Sequence, residues 1–126
     1  MQTVLEVNGD DWNKEILESP YLTVVDFWHE GCLWCKKLEP IFKEVAEEYK
    51  SKAKFASFNV LASSENQSIA IEYGIMGVPT IGFFCAKRPV EIVVGFQQKE
   101  HLKQLVDEVV ANHKECLEKS TQIKIS

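Results

Sequence analysis

The stretch VVDFWHEGCLWCKKLEP, residues 24–40, joins a strand pattern directly to a helical pattern and places two cysteines at the junction. In its first part, apolar residues occupy both alternating positions, which is typical of a strand buried on both faces. After Cys32 the apolar residues recur at helical spacing, with Lys and Glu on the opposite side. The stretch therefore predicts a buried strand followed by a helix that begins near Cys32.

The segments around this stretch extend the pattern to one α/β domain. Strands are predicted before it in TVLEV and after it in AKFASFNV, VPTIGFFC and VEIVVGF, the last two as an antiparallel hairpin. Further helices are predicted at about residues 11–18, at residues 66–73 and from Lys99 to about Leu117. The order βαβαβαββα predicts a mixed, mostly parallel sheet with helices on both faces. We expect a single domain over residues 1–126, with a loose tail from about residue 118.

The composition excludes some classes of function. Hydrophobic residues make up 45% and charged residues 26% of the 126-residue chain, which is typical of a globular protein. The 14 Lys and Arg against 19 Asp and Glu argue against nucleic-acid binding, because that binding depends on basic side chains. The N-terminus lacks the pattern of a secretory signal, and the longest apolar run is too short for a membrane span. We therefore expect a cytoplasmic protein with no membrane or nucleic-acid partner.

Cys32 and Cys35 lie one helical turn apart at the predicted N-terminus of the helix. Unpaired amides and the helix dipole stabilise a thiolate there, which lowers the pKa of a cysteine from about 8.5 to the range of about 3.5–7.5. Side chains three residues apart on a helix are neighbours, so the pair can close and reopen a disulfide. This spacing predicts a nucleophilic thiolate at Cys32 and a deeper thiol at Cys35 that resolves a mixed disulfide.

Asp26 interrupts the apolar strand before this turn and lies on the same face as Trp28. Apolar neighbours on both sides predict that its carboxyl group is buried rather than solvated. Burial disfavours the charged form and raises the pKa of a carboxyl group. Asp26 is therefore a candidate base for the proton of Cys35.

Two other interpretations of the cysteine pair stay open at this point: buried core cysteines and half of a zinc site. A zinc site needs two further ligands, whereas the other two cysteines and the three histidines occur singly. Cys85 is predicted to be inert core in an apolar strand. Cys116 is predicted to be exposed and oxidisable, without a resolving partner. Because the pair lies in a predicted βαβ unit, redox chemistry without a metal or cofactor is favoured.

The quoted stretch, followed by YGIMGVPTIGFF and VVGF, resembles the thioredoxin family. The resemblance extends from about Val4 to Leu117 and implies a thioredoxin fold with dithiol–disulfide exchange on protein substrates. It implies that Cys32 is the nucleophile, Cys35 the resolving thiol and Asp26 the buried proton acceptor.

The same resemblance implies a substrate-binding groove beside the cysteines. Pro79 would be a cis-proline that faces the cysteines, and Val78 would offer backbone groups to a substrate strand. Gly95 would leave room beside this groove. Trp28 is expected to pack over the site, and Trp34 to grip partners or to shield the disulfide.

Two departures from the family pattern bear on the direction of electron flow. Leu33 and Trp34 replace the common Gly-Pro between the cysteines. Ser57 and Phe58 stand where the family has a lysine near the buried aspartate, and the loss of that lysine favours a higher pKa of Asp26.

We therefore expect a protein-disulfide reductase that is monomeric, contains no cofactor and is recycled by a separate disulfide reductase. A disulfide oxidase or isomerase, a glutaredoxin-like protein and a non-enzymatic peptide-binding module are the alternatives. The substitution Cys32→Ser distinguishes the binding module, because peptide binding survives it and dithiol turnover does not.

Overall fold

A computed structural model describes residues 3–116 of the chain. The described residues form five strands and three α-helices: β1 (Val4–Val7), β2 (Thr23–Trp28), α1 (Leu33–Tyr49), β3 (Lys54–Asn59), α2 (Ser64–Glu72), β4 (Thr80–Cys85), β5 (Arg88–Val94) and α3 (Lys99–Asn112). No helix within residues 3–116 has both the length and the apolar content needed to cross a membrane. The predicted loose tail from about residue 118 lies outside the described residues.

The strands form one mixed sheet in the order β1-β3-β2-β4-β5. Strands β1 and β2 both pair with β3 in parallel, whereas β4 pairs antiparallel with β2 and with β5. Four strands therefore run in one direction and β4 alone runs in the other, which confirms the predicted mixed, mostly parallel sheet. Parallel neighbours need a crossover connection, and α1 supplies the one between β2 and β3.

Helices cover both faces of the sheet, as the sequence predicts. On one face α1 and α3 pack against the strands and bury Leu38 and Leu102 completely. On the other face α2 and the segment before β2 form a second hydrophobic cluster that includes Ile16. Val24 belongs to the first cluster, and Asp26, two residues further along β2, shares its face. The carboxyl group of Asp26 therefore lies on the side of the sheet that carries α1.

The α-helix predicted at about residues 11–18 is wrong in type. Gly9–Asp11 is a 3-10 turn and Asn13–Leu17 is a π-helical turn. A segment this short gains few helical hydrogen bonds, so packing decides its conformation. The irregular backbone brings both Trp12 and Ile16 into the core, where each is 2% exposed.

The hairpin of β4 and β5 forms one edge of the sheet. Ala86 and Lys87 make its turn with positive φ angles of 56° and 72°. The register of the two strands shifts between Phe83 and Phe84, and Pro89 lies within β5. The predicted antiparallel hairpin is confirmed, with an irregular outer strand.

The last helix ends earlier than the sequence predicts. α3 ends at Asn112 rather than near Leu117, which lies outside the described residues, and Lys114–Cys116 form a separate 3-10 turn. The carbonyl of Cys116 accepts a hydrogen bond from the amide of Leu22 at 2.7 Å. The chain therefore turns back toward the start of β2 instead of continuing the helix.

This turn pairs two cysteines that are predicted to be separate. Cys116 is 4% exposed and forms a disulfide with Cys85, with an S–S distance of 2.05 Å. The prediction that Cys116 is exposed and has no partner is wrong. Cys85 lies in the core as predicted, at 2% exposure, but it is not inert because it forms this bond. The two residues are 31 positions apart, and only the packing of α3 on the sheet brings them together.

Candidate active site

Cys32 and Cys35 lie where the chain passes from β2 into α1. Cys32 is the N-cap residue of α1 and is half-buried, whereas Cys35 is 4% exposed. The two cysteines form a disulfide, and their Cα atoms are 5.2 Å apart. The structure thus brings the pair together as the spacing predicts, with Cys35 the deeper of the two.

The sulfur of Cys32 occupies the place of a capping oxygen. It accepts a hydrogen bond from the backbone amide of Cys35, with N and Sγ 3.1 Å apart. The first amides of a helix lack partners inside the helix, so an acceptor at the N-cap is stabilising. When the disulfide is open, the same amide and the helix dipole stabilise a thiolate at Cys32.

Asp26 is buried below α1 and is 5% exposed, as predicted. Its Oδ1 atom has no hydrogen-bond partner among residues 3–116. Burial, with a smaller contribution from the negative charge of Glu39, raises the pKa of Asp26 from 3.8 to about 7. Because an unpaired charge is costly in a buried site, this carboxyl group takes up and releases a proton near neutral pH.

Asp26 and Cys35 line the same cleft, which has a volume of about 490 Å³. Glu39 also lines this cleft, and its side chain is 62% exposed. The cleft is therefore open toward solvent and has room for several water molecules, each of which needs about 30 Å³. Other side chains that line it are Val4, Trp28, Glu30, Lys36, Lys43 and Ser57.

The Val78–Pro79 peptide bond is cis, as the resemblance implies. Pro79 is buried, and its carbonyl accepts a hydrogen bond from the amide of Gly95 at 2.8 Å. Gly95 has a φ of +100°, a conformation that favours glycine, and a Cβ atom there would meet nothing within 4 Å. Gly95 therefore leaves open space at this point, and its backbone is tied to that of Pro79.

Val78 is half-buried and lines a second groove of about 320 Å³. His29, Leu61 and Met76 line the same groove. Leu61 is 56% exposed and Met76 is 93% exposed, so the groove offers apolar surface beside the cis-proline. A contact between Val78 and a substrate strand stays a prediction.

Trp34 is 53% exposed and packs against Phe96, with ring centroids 5.2 Å apart. The ammonium group of Lys37 lies 5.2 Å from the centroid of the Trp34 ring. Phe96 directly follows Gly95, so this contact joins α1 to the loop beside Pro79. Trp28 is half-buried and lies in the Asp26 cleft instead, so the two tryptophans belong to different parts of the site.

Two side chains at the site, Glu39 and Phe96, are not predicted from the sequence. Glu39 is four residues after Cys35, and this helical spacing is a signal that could have placed it beside the cleft. The contact of Phe96 with Trp34 has no comparable signal, because it joins segments that are distant in the chain.

Cys32 and Cys35 belong to no group of three or more potential metal ligands among the described residues. The nearby His29 accepts a hydrogen bond from the amide of Gly31 at its Nδ1 atom, at 3.2 Å. The one such group within residues 3–116 lies elsewhere and includes Cys85.

The family model and the relatives that match this chain all belong to one family. The Thioredoxin family model matches residues 3–108. A thioredoxin of Rickettsia felis is 38% identical over 104 residues, which are 82% of this chain and 96% of that protein. A thioredoxin of Buchnera aphidicola is 35% identical over 108 residues, 86% of this chain and 97% of that protein. A thioredoxin of Staphylococcus aureus is 36% identical over 104 residues, 82% of this chain and 95% of that protein.

Proposed function

The chain belongs to the thioredoxin family and is a thiol–disulfide oxidoreductase that reduces protein disulfides through a cysteine pair, and we propose a role for each residue of its site. Cys32 is the nucleophile, Cys35 the resolving thiol and Asp26 the proton acceptor. The different surroundings of the two cysteines are the observation that supports this proposal. Cys32 is half-buried and its sulfur accepts a hydrogen bond from an amide at the helix N-terminus, whereas Cys35 is buried and shares a cleft with Asp26.

In the first step the Cys32 thiolate attacks one sulfur of a substrate disulfide. A bond forms between Cys32 and that sulfur, and the other substrate sulfur leaves as a thiolate and takes up a proton. The amide of Cys35 and the positive end of α1 stabilise the attacking thiolate. The half-buried position of Cys32 leaves its sulfur accessible for this attack.

In the second step Cys35 gives its proton to Asp26 and attacks the sulfur of Cys32. The Cys32–Cys35 disulfide forms, and the second substrate sulfur leaves, so two electrons have passed to the substrate. A base is most effective when its pKa lies near the working pH, and the pKa of Asp26 is about 7. The cleft has room for water between the two groups and solvent.

We propose that the groups around the cysteines and the cis-proline bind the substrate chain. Pro79 and Gly95 form one wall through their backbone hydrogen bond, and Val78 lines the apolar groove beside them. Trp34 offers an exposed aromatic face, whereas Trp28 supports the proton cleft.

We also propose that the protein acts as a single-domain monomer in the cytoplasm and that a separate disulfide reductase restores its dithiol. Every group used in the two steps comes from one chain, so a second copy is not needed for the reaction. A reducing compartment keeps a dithiol of this kind available for repeated turnover. The matched relatives are named thioredoxins, which disfavours the oxidase, isomerase and peptide-binding alternatives.

A trapping experiment tests the roles of the two cysteines. Cys35→Ser should arrest the reaction at the mixed disulfide and accumulate a covalent adduct between Cys32 and a disulfide-bonded test protein. Cys32→Ser should form no adduct and show no turnover. The adduct is measured by electrophoresis without reductant and by mass spectrometry of the joined peptides.

Both variants are prepared with Cys85→Ser and Cys116→Ser as well, so that no adduct can form through the second pair. An adduct through Cys35 in the Cys32→Ser protein, with none in the Cys35→Ser protein, would reverse the assignment.

A further inference from the structure

A second cysteine pair lies at the opposite end of the strands from the active site. Cys85 ends β4 and is bonded to Cys116. Strand β4 runs antiparallel to β2, so Cys85 lies near the start of β2, whereas Cys32 follows the end of β2. The second pair is therefore separate from the groups that carry the proposed reaction.

Two more potential metal ligands surround this pair. One carboxylate oxygen of Glu115 lies 3.7 Å from the Cys85 sulfur and 3.9 Å from Nδ1 of His113. The ligand atoms of Cys85, His113 and Glu115 all lie within 4.8 Å of one another. With the bonded sulfur of Cys116, two sulfurs, one nitrogen and one oxygen lie together at this end of the strands.

The Glu115 oxygen is in van der Waals contact with the Cys85 sulfur in the oxidised chain. A disulfide sulfur carries no hydrogen, so Cys85 donates nothing to this oxygen while the S–S bond is intact. When the bond is open, the same sulfurs become two thiols beside an imidazole and a carboxylate, and a bound metal ion takes them as thiolates. Zinc takes four ligands of these types in tetrahedral protein sites, and thiolates favour it over calcium or magnesium.

The backbone holds these residues in place without the S–S bond. The amide of Leu22 donates to the carbonyl of Cys116 at 2.7 Å, and the amide of Cys116 donates to the carbonyl of His113 at 3.0 Å. Cys85 is paired with Arg88 in the β4–β5 hairpin. Reduction removes none of these contacts, so the four side chains stay within reach of one ion.

We propose that reduction of the Cys85–Cys116 disulfide opens a zinc site whose ligands are Cys85, Cys116, His113 and Glu115. The disulfide and the zinc site exclude each other, because both use the same two sulfurs. Zinc binding at this end of the strands is therefore controlled by the redox state of the Cys85–Cys116 pair. This zinc site does not depend on the roles proposed for Cys32, Cys35 and Asp26.

A dithiol supplies the two electrons of the reduction. The bond between Cys85 and Cys116 breaks, a disulfide forms within the dithiol, and its two thiol protons pass to the two cysteine sulfurs. Zinc then displaces these two protons when it binds the sulfurs as thiolates. The reduced Cys32–Cys35 pair of another copy belongs to this class of reductant.

The test uses the full chain with Cys32→Ser and Cys35→Ser, so that the active-site thiols bind no metal. The protein is reduced with dithiothreitol, freed of reductant without oxygen, and titrated with Zn²⁺ against a chromophoric chelator. We expect one tightly bound Zn²⁺ per chain in the reduced form and none in the oxidised form. Substitution with Co²⁺ should give thiolate-to-cobalt charge-transfer bands and the visible spectrum of a tetrahedral site.

Variants separate this site from adventitious binding. His113→Asn keeps both cysteines and should weaken zinc binding by about tenfold or more, since even outer-sphere partners of a metal ligand are worth that much. The matched control His101→Asn changes an exposed histidine of α3 that is outside the cluster and should bind zinc normally.

Each of three binding results would overturn the proposal. They are absence of zinc binding by the reduced chain, equal affinity of the oxidised chain, and equal affinity of the His113→Asn variant. A reduced chain that unfolds and does not regain its circular dichroism spectrum with Zn²⁺ would also overturn it.

Discussion

Ser57 of β3 lies opposite Asp26 of β2 in the parallel pairing of the two strands, and both side chains line the cleft that reaches Cys35. An uncharged side chain therefore stands next to the buried carboxyl group. Burial and the charge of Glu39 both raise the pKa of Asp26, and these are the causes that set its value near 7. The pKa of Asp26 is thus raised by desolvation and by a like charge.

Ser57→Lys should lower the pKa of Asp26 below about 7. An ammonium group near the carboxyl group stabilises its charged form, which is the opposite of what burial does. Titration of the Asp26 carboxyl group by NMR measures the change. Ser57→Met is the matched control, because it has similar length without charge and should not lower the pKa. An equal decrease in both variants would contradict the electrostatic explanation.

Asp26 should make the folded protein less stable as the pH rises. Its pKa is about 7 in the folded state against 3.8 as the ordinary value, so between these pH values the folded state holds a proton that the unfolded chain releases. The contribution of Asp26 to the free energy of unfolding is therefore greatest below about pH 4 and decreases until about pH 7. The total decrease is on the order of 4 kcal/mol at most.

Asp26→Asn removes this titration and should raise the free energy of unfolding at pH 8 relative to the unmodified protein. Urea unfolding of both oxidised proteins between about pH 4 and pH 8 measures the difference, which should grow as the pH rises. A difference that does not change with pH would show that Asp26 does not titrate in this range. The same variant should slow the resolving step by roughly a hundredfold or more, because the proposed base is lost.

Trp34→Ala should weaken the binding of protein substrates more than the chemistry of the disulfide. The exposed indole is held by Phe96, and a contact of about 1.4 kcal/mol would correspond to a tenfold increase in KM. Initial rates with a protein disulfide and with a small disulfide compound separate the two effects. Lys37→Ala is the control, since it removes the cation near the ring but keeps the ring. An equal loss with both substrates would contradict a binding role.

The reduction potential of the Cys32–Cys35 pair should lie at or below about −250 mV, the range of a cytosolic reductant. Titration in thiol buffers with tryptophan fluorescence as the readout measures it, because Trp34 and Trp28 lie at the site. The experiment uses the Cys85→Ser, Cys116→Ser variant so that only one pair titrates. A potential between about −180 and −120 mV would indicate an oxidase or isomerase instead.

Gly95→Ala should lower the free energy of unfolding by about 1–2 kcal/mol, the cost of a left-handed conformation for a residue with a side chain. The added Cβ meets no atom within 4 Å, so the cost comes from the φ of +100° rather than from crowding. Gly77→Ala is the control, because its Cβ also meets nothing and its φ lies outside the left-handed range. Urea unfolding compares the two variants, and equal stability would contradict this explanation.

The parts of the site that the sequence predicts are those with a local signal. The cysteine spacing, the start of α1 and the burial of Asp26 all follow from the order of residues within one stretch of chain. The pairing of Cys85 with Cys116 depends on how α3 packs on the sheet, and no short-range pattern reports it.

The same reasoning explains the errors in secondary structure. The segment before β2 is too short for helical periodicity to decide its type, and two buried side chains determine its backbone instead. The sequence predicts that α3 ends later than it does, because helical apolar spacing continues where the backbone already turns toward Leu22.

The irregular strand β5 has a consequence for the behaviour of the protein at high concentration. Within residues 3–116, β5 pairs with β4 alone, so its outer side is an edge that another chain could extend. Pro89 offers no amide hydrogen, and the register shift between Phe83 and Phe84 disturbs the hairpin next to it. The outer side of β5 is therefore a poorer template for an incoming strand than a regular edge strand would be.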